Sequence, residues 1–190
     1  MATAPAGVAA VLSPLCGRDF LSSADCSANE TAALLDLAAQ LKSGDRRIDL
    51  GNRVLGLIFS KASTRTRVSF QAGMTQLGGD CVFLGQEAGW GVRESMKDFG
   101  EVLSEYVDAI ACRSYLHQTV QELTQYCTVP VINALTDFCH PCQALADVHT
   151  IAEHVGGLQS LAGQEVAYIC LLYTSPSPRD LSTSRMPSSA

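Results

Sequence analysis

The chain has 190 residues, of which 47% are hydrophobic and 17% charged, and its net charge is −6. That is enough apolar material for one packed domain and the start of another, and too much for a disordered chain. The acidic balance and the lack of a lysine/arginine run exclude a general nucleic-acid or anionic-membrane surface, but leave room for an anionic small substrate held by a few local arginines.

The first 14 residues, ending "VAAVLSP", are small and apolar. They lack the basic start of a secretory signal and the arginines of an organelle transit peptide, so they read as an N-terminal extension. A helix is expected over "SANETAALLDLAAQLKSG", where Ser27 and Glu30 form a capping box and Gly44 a stop. "RVLGLIFS" reads as a buried strand. "KASTRTR" then leads into a helix over "VSFQAGMTQLGG". "CVFLG" is a short strand, "QEAGWGV" a glycine-bearing loop and "ESMKDFGEVLSEY" a helix. "DAIACR" is a strand ending on Arg113. "TVQELTQY" is a helix with a second capping box, Thr119 and Glu122. "VPVINAL" is a strand. "PCQALADVHTIAEHVG" is a helix with Pro141 in its first turn, where proline is best tolerated. "EVAYICLL" reads as one more strand.

Strands alternating with helices imply an α/β domain, a parallel sheet with helices on both faces. No apolar run is long enough to cross a membrane. The expected division is an extension over 1–14, a domain over 15–156 and the start of a truncated second domain over 157–172. The tail over 173–190, rich in Ser, Pro, Thr and Arg, reads as disordered or as an artefact resembling translated adaptor sequence.

Eight cysteines are present. Cys81 and Cys112 lie in apolar runs, where cysteine behaves as a small buried hydrophobe. The pattern is that of a reduced, cytoplasmic protein, with organelle targeting left open. "CHPCQ", Cys139 to Gln143, has three readings: a dithiol redox site, half of a zinc site, or a frame for His140 and Gln143. No partner CxxC or H-x3-H completes a zinc site. A redox CxxC belongs near the start of a thioredoxin-like domain, not this deep in a longer one.

The most specific segment is "FSKASTRTRVSF", Phe59 to Phe70. A buried strand delivers hydroxyls and arginines to a helix start, where unpaired N–H groups and the helix dipole favour an anion. Ser63, Thr64 and Thr66 add hydroxyl donors, and Arg65 a planar fork suited to phosphate oxygens. The plainer alternative is helix capping and a solvated basic face. Arg113 lies at a strand's C-terminal end, where open α/β sheets collect ligands. Lys61 raises the local potential without contact.

"STRTR", "RESMKDFGEVLSEYVDAIACR" and "HPCQALAD", in that order and spacing, resemble the aspartate/ornithine carbamoyltransferase family over nearly all of residues 15–170. The cysteine of "HPCQ" and "GRDFL" near the start favour the ornithine branch. That branch moves the carbamoyl group of carbamoyl phosphate to L-ornithine, giving citrulline and phosphate in arginine biosynthesis. The resemblance implies that Ser63, Thr64, Arg65 and Thr66 hold the phosphate. It implies that Arg113 and His140 donate to the carbamoyl oxygen and that Gln143 holds the carbamoyl amine. The implied catalytic groups are Arg65, Arg113 and His140, and the mechanism needs no metal, no cofactor and no covalent intermediate.

The resemblance further implies a homotrimer whose sites are completed by a neighbour's loop. Here that loop is Gln86 to Ser95, with Gln86, Trp90 or Arg93 as candidates and packing of Trp90 in its own domain as the alternative. Gly89 stands where ornithine enzymes often carry Gln or His. Only the first strand of an acceptor domain is expected, so the chain alone should have little or no turnover. Competing functions are a carbamoyltransferase for aspartate or putrescine, a CxxC dithiol oxidoreductase, and a non-catalytic module that keeps the phosphate pocket.

Overall fold

The computed structural model describes residues 10–90 and 92–167. Four parallel strands, β1 (Val54–Phe59), β2 (Asp80–Leu84), β3 (Ala109–Arg113) and β4 (Val131–Asn133), form one sheet in the order β2-β1-β3-β4. The chain steps outward from β1 to β2 and then returns to the other side of β1 for β3. The two central strands are therefore a topological switch point. Phe59 pairs with Arg113 in register at that end.

Five α-helices that lie wholly within the described residues connect and flank the strands: α1 (Ala28–Ser43), α2 (Thr64–Gln76), α3 (Met96–Ser104), α4 (His117–Thr124) and α5 (Pro141–Val155). Side chains alternate across each strand, so the sheet has two apolar faces. Ile58, Ile110, Cys112 and Val131 pack with Phe99 and Leu103 of α3 and Val120 and Leu123 of α4. Leu55, Leu57, Phe59 and Ala111 face the other way, against Phe70 and Met74 of α2. This is the expected α/β architecture with a parallel sheet between helices.

The Ser27–Glu30 capping box forms at α1, and Gly44 and Gly156 close α1 and α5 in the left-handed region at φ 82° and 89°. Three expectations need correction. The helix expected from Val68 begins at Thr64, so Thr64, Arg65 and Thr66 lie in its first turn and Ser63 at its N-cap. The Thr119–Glu122 capping box does not form. The helix starts two residues earlier, and its first N–H, that of His117, donates instead to Asp137 Oδ1 at 2.8 Å. A carboxylate from another loop does what the local pair was expected to do. β4 ends at Asn133 because Leu135 takes a left-handed backbone, φ 134°, that no strand accommodates. Residues 165–167 carry no strand, and the rest of the strand expected over 165–172 lies outside the described residues.

The sheet gains one pair beyond β4. Phe20 bridges Ile132 in parallel, with Phe20 N–H donating to Val131 O and Asn133 N–H to Phe20 O, both at 2.8 Å.

Candidate active site

At the C-terminal ends of β1, β3 and β4 lies a cleft of about 720 Å³. α2 and its N-cap contribute Ser63, Arg65, Thr66, Ser69 and Phe70 to its wall, β3 contributes Arg113, the turn into α5 contributes Leu135 and His140, and the first turn of α5 contributes Gln143. Cys142 and Ala146 complete the lining, which includes no carboxylate. Two arginines therefore face one hollow in a chain of net charge −6. Local potential, not net charge, decides what such a hollow attracts.

Both helices that meet here begin without a side-chain cap. Ser63 occupies the N-cap of α2 and His140 that of α5, and neither side chain caps its own helix. Pro141, first in α5, has no N–H to satisfy. The first-turn N–H groups of α2 and the Ser63 hydroxyl are thus left to an incoming acceptor, at the positive end of the dipole.

Arg113 reaches across the sheet end, and its Nη1 donates to Thr66 Oγ1 at 3.3 Å. This contact ties β3 to the first turn of α2. The ring nitrogen Nδ1 of His140 is buried without a hydrogen-bond partner. Burial holds the His140 imidazole below its ordinary pKa, and the Arg113 cation pushes the same way against the weaker pull of Asp147. His140 is thus a neutral ring near pH 7, able to donate from one nitrogen without adding a third full charge. Gln143 lines the cleft, and its Nε2 donates to Asp147 Oδ1 one turn along at 2.8 Å.

Six of the seven residues expected to bind substrate therefore share one hollow. Thr64 does not line it and is exposed on the first turn of α2. Lys61 stands 4.3 Å above the Tyr115 ring, and Arg67 lies over Phe83 at 3.7 Å, both away from the cleft. Ser69, Phe70, Leu135 and Ala146 were not anticipated. Helical spacing from Thr66 predicts the first two at i+3 and i+4, whereas nothing local marks Leu135.

The loop candidates separate. Gln86 is exposed and donates through Nε2 to Ser60 O, the residue after β1. Arg93 is exposed beside Gly89. Trp90 is only 9% exposed and stacks on Phe99, with ring centroids 6.0 Å apart. Of the two readings left open for Trp90, this geometry is that of packing in its own domain.

The cysteines of "CHPC" are not primed for sulfur chemistry. Burial pushes the Cys142 thiol up to about 11, and its Sγ donates to Asn133 O at 3.6 Å. The Cys139 thiol is also raised by burial, and its Sγ donates to Leu21 O at 3.3 Å. Neither thiol is activated by its surroundings as an attacking redox cysteine is, which counts against the dithiol reading. Among the described residues no group of three His, Cys, Asp or Glu side chains is gathered as a metal site.

Residues 18–153 match the family described as aspartate/ornithine carbamoyltransferase, carbamoyl-P binding domain. The chain is 62% identical over 170 residues to an ornithine carbamoyltransferase of Parasynechococcus marenigrum, covering 89% of this chain and 52% of that protein. It is 48% identical to the Bacillus subtilis enzyme of that name over 156 residues, 82% of this chain and 48% of the relative. The chain thus spans about half the length of the curated relatives it matches. The solved ornithine carbamoyltransferase of Pyrococcus furiosus superposes with a TM-score of 0.70 at 46% identity, over 75% of this chain and 47% of that one. An N-acetyl-L-ornithine transcarbamylase complexed with carbamyl phosphate and N-succinyl-L-norvaline also gives 0.70, at 32% identity, over 74% and 49%. Equal similarity in shape to enzymes named for two acceptors means that this domain does not by its shape select one.

Proposed function

The chain belongs to the aspartate/ornithine carbamoyltransferase family through its carbamoyl-phosphate-binding domain, and from that premise we propose that its cleft holds carbamoyl phosphate for transfer to L-ornithine. The products are citrulline and phosphate. One observation carries the reading. Two helix starts without side-chain caps, Arg65, Arg113 and a neutral His140 line a single hollow whose lining includes no carboxylate.

In this reading the phosphate rests on the first turn of α2. Backbone N–H groups, Ser63, Thr66 and Arg65 hold it, with Thr64 at the rim. Arg113 and His140 donate to the carbamoyl oxygen, and Gln143 turns from Asp147 to the carbamoyl nitrogen. The amine lone pair attacks the carbamoyl carbon while the C–O bond to phosphate breaks. Phosphate departs with that electron pair, and the attacking nitrogen sheds a proton. Negative charge grows on the carbonyl oxygen and then on the leaving phosphate. Preorganised donors stabilise both, and holding the donor in place removes much of the entropic cost.

Ornithine as acceptor is supported by the names of the relatives and by the Cys142 variant of the "HPCQ" motif. Residues 15–156 form the donor domain of this proposal, and 157–172 begin the acceptor domain. The assembly is a homotrimer, with Gln86 and Arg93 as the exposed loop residues that can reach a neighbour. A cytoplasmic location suits the described cysteines, which are free thiols. Among the described residues no helix is long and apolar enough to cross a membrane.

Calorimetric titration with carbamoyl phosphate tests the reading. The chain should bind it, and Arg65→Ala should bind far more weakly. Equal affinity in the two proteins would overturn the assignment.

A further inference from the structure

β4 ends on a residue that neither the sequence motifs nor the proposed chemistry uses. Asn133 is fully buried, at 0% exposure. A buried amide is tolerated only when its hydrogen bonds are made, and at the end of a sheet an aliphatic side chain would pack at less cost. Asn133 makes one of its bonds to Leu135, in the lining of the cleft, and the others to Leu21 and Cys139 behind it. Its Oδ1 accepts from Leu135 N–H at 2.9 Å. Its Nδ2 donates to Leu21 O at 2.8 Å and lies 3.3 Å from Cys139 O, the carbonyl just before His140.

Leu135 is the one non-glycine residue with positive φ among the described residues, at 134°. Such a backbone persists only where its surroundings hold it, and it is enriched at ligand clamps. Two bonds hold it here. One is the Asn133 amide. The other runs from Ser114 N–H to Leu135 O at 3.1 Å, directly after Arg113. Thr136 Oγ1 and Cys139 close the rest of the turn on each other, with Thr136 N–H donating to Cys139 O at 3.1 Å. One side chain thus joins the N-terminal segment, the left-handed Leu135 and the residue before His140.

We propose that Asn133 is a positioning residue: its amide fixes the 133–140 loop and thereby sets where Leu135 and His140 stand in the cleft. The functional part of this statement rests on the carbamoyl-phosphate reading, while the geometric part does not.

The test uses the 190-residue chain and Asn133→Ala, with folding checked by circular dichroism. The His140 Hε1 resonance, assigned through His140→Gln, is titrated by NMR, and carbamoyl-phosphate affinity is measured by calorimetry. A folded variant should show the His140 titration moved up toward the ordinary histidine range, as the released ring meets water. Its dissociation constant should rise roughly tenfold or more. A purely structural role lowers the melting temperature and leaves the His140 titration where it was. That result in a folded variant overturns the proposal. Should Asn133→Ala not fold, Asn133→Ser is read by the same titration. If the unsubstituted chain fails to bind carbamoyl phosphate, the functional reading falls, and the titration still decides the role of Asn133.

Discussion

Four of the five helices begin on Ser or His, and these four starts divide into two kinds. Ser27 and Ser95 cap α1 and α3, accepting from Glu30 N–H at 3.3 Å and Asp98 N–H at 3.0 Å. Ser63 and His140 hold the same position on α2 and α5 and cap nothing. The capped helices lie away from the cleft, and the uncapped ones form its walls. Residues of one chemical type thus cap a helix in one place and, on the proposed reading, are left to bind a ligand in the other. What separates them is whether the helix start is satisfied from within.

The contrast can be broken by substitution. Arg65→Ala should have the largest effect, weakening carbamoyl-phosphate binding roughly a hundredfold, or about 2.8 kcal/mol. Its melting temperature should hardly move, since Arg65 is exposed. Ser63→Ala should lose about 1.5 kcal/mol of binding with little loss of stability. Ser27→Ala should do the reverse, losing about 1 kcal/mol of stability with binding intact. Urea melts and calorimetry on the pair decide the matter; if both serines lose only stability, the two kinds of helix start are one.

His140 sharpens the comparison through pH. Its folded pKa lies below the ordinary 6.5 because of burial and then the Arg113 cation, opposed by Asp147. Between 6.5 and that lower value the unfolded chain takes up a proton that the folded chain refuses. The His140 contribution is therefore fully present above 6.5 and is lost as pH falls through the window toward the folded value. His140→Gln should flatten that part of the stability–pH curve. The smallest effect is expected from Cys139→Ser with Cys142→Ser. Carbamoyl-phosphate affinity should stay within about twofold, because on the proposed reading the working atoms belong to His140 and Gln143.

Much of this molecule was legible in its sequence where the signal is local. Strand–helix alternation gave the parallel sheet, Ser27 with Glu30 gave the start of α1, and "STRTR" after a buried strand gave one wall of the cleft. What was not legible is non-local. Asp137 caps α4 from 20 residues away, so the Thr119–Glu122 pattern misled. Trp90 sits in a glycine-bearing loop yet stacks on Phe99, a tertiary contact that no spacing announces. Asn133 reads as an ordinary turn former after an apolar run, and its partners Leu21 and Cys139 lie on opposite sides of it in sequence. The left-handed Leu135 carries no residue-type signal, since leucine is not chosen for positive φ.

The pairing of Phe20 with Ile132 carries a kinetic consequence. It joins residues 112 positions apart along the outer side of β4. Closing so long a loop is entropically costly and favours late formation, after local helices and the β1–β2 crossover have assembled. During synthesis the first segment must wait for almost the whole domain to emerge before it can dock. Until it does, β4 presents an open row of backbone donors and acceptors, the usual template for pairing with another chain. Amide exchange at Asn133, whose N–H donates to Phe20 O, would time that closure in refolding experiments and mark when the edge stops being an aggregation hazard.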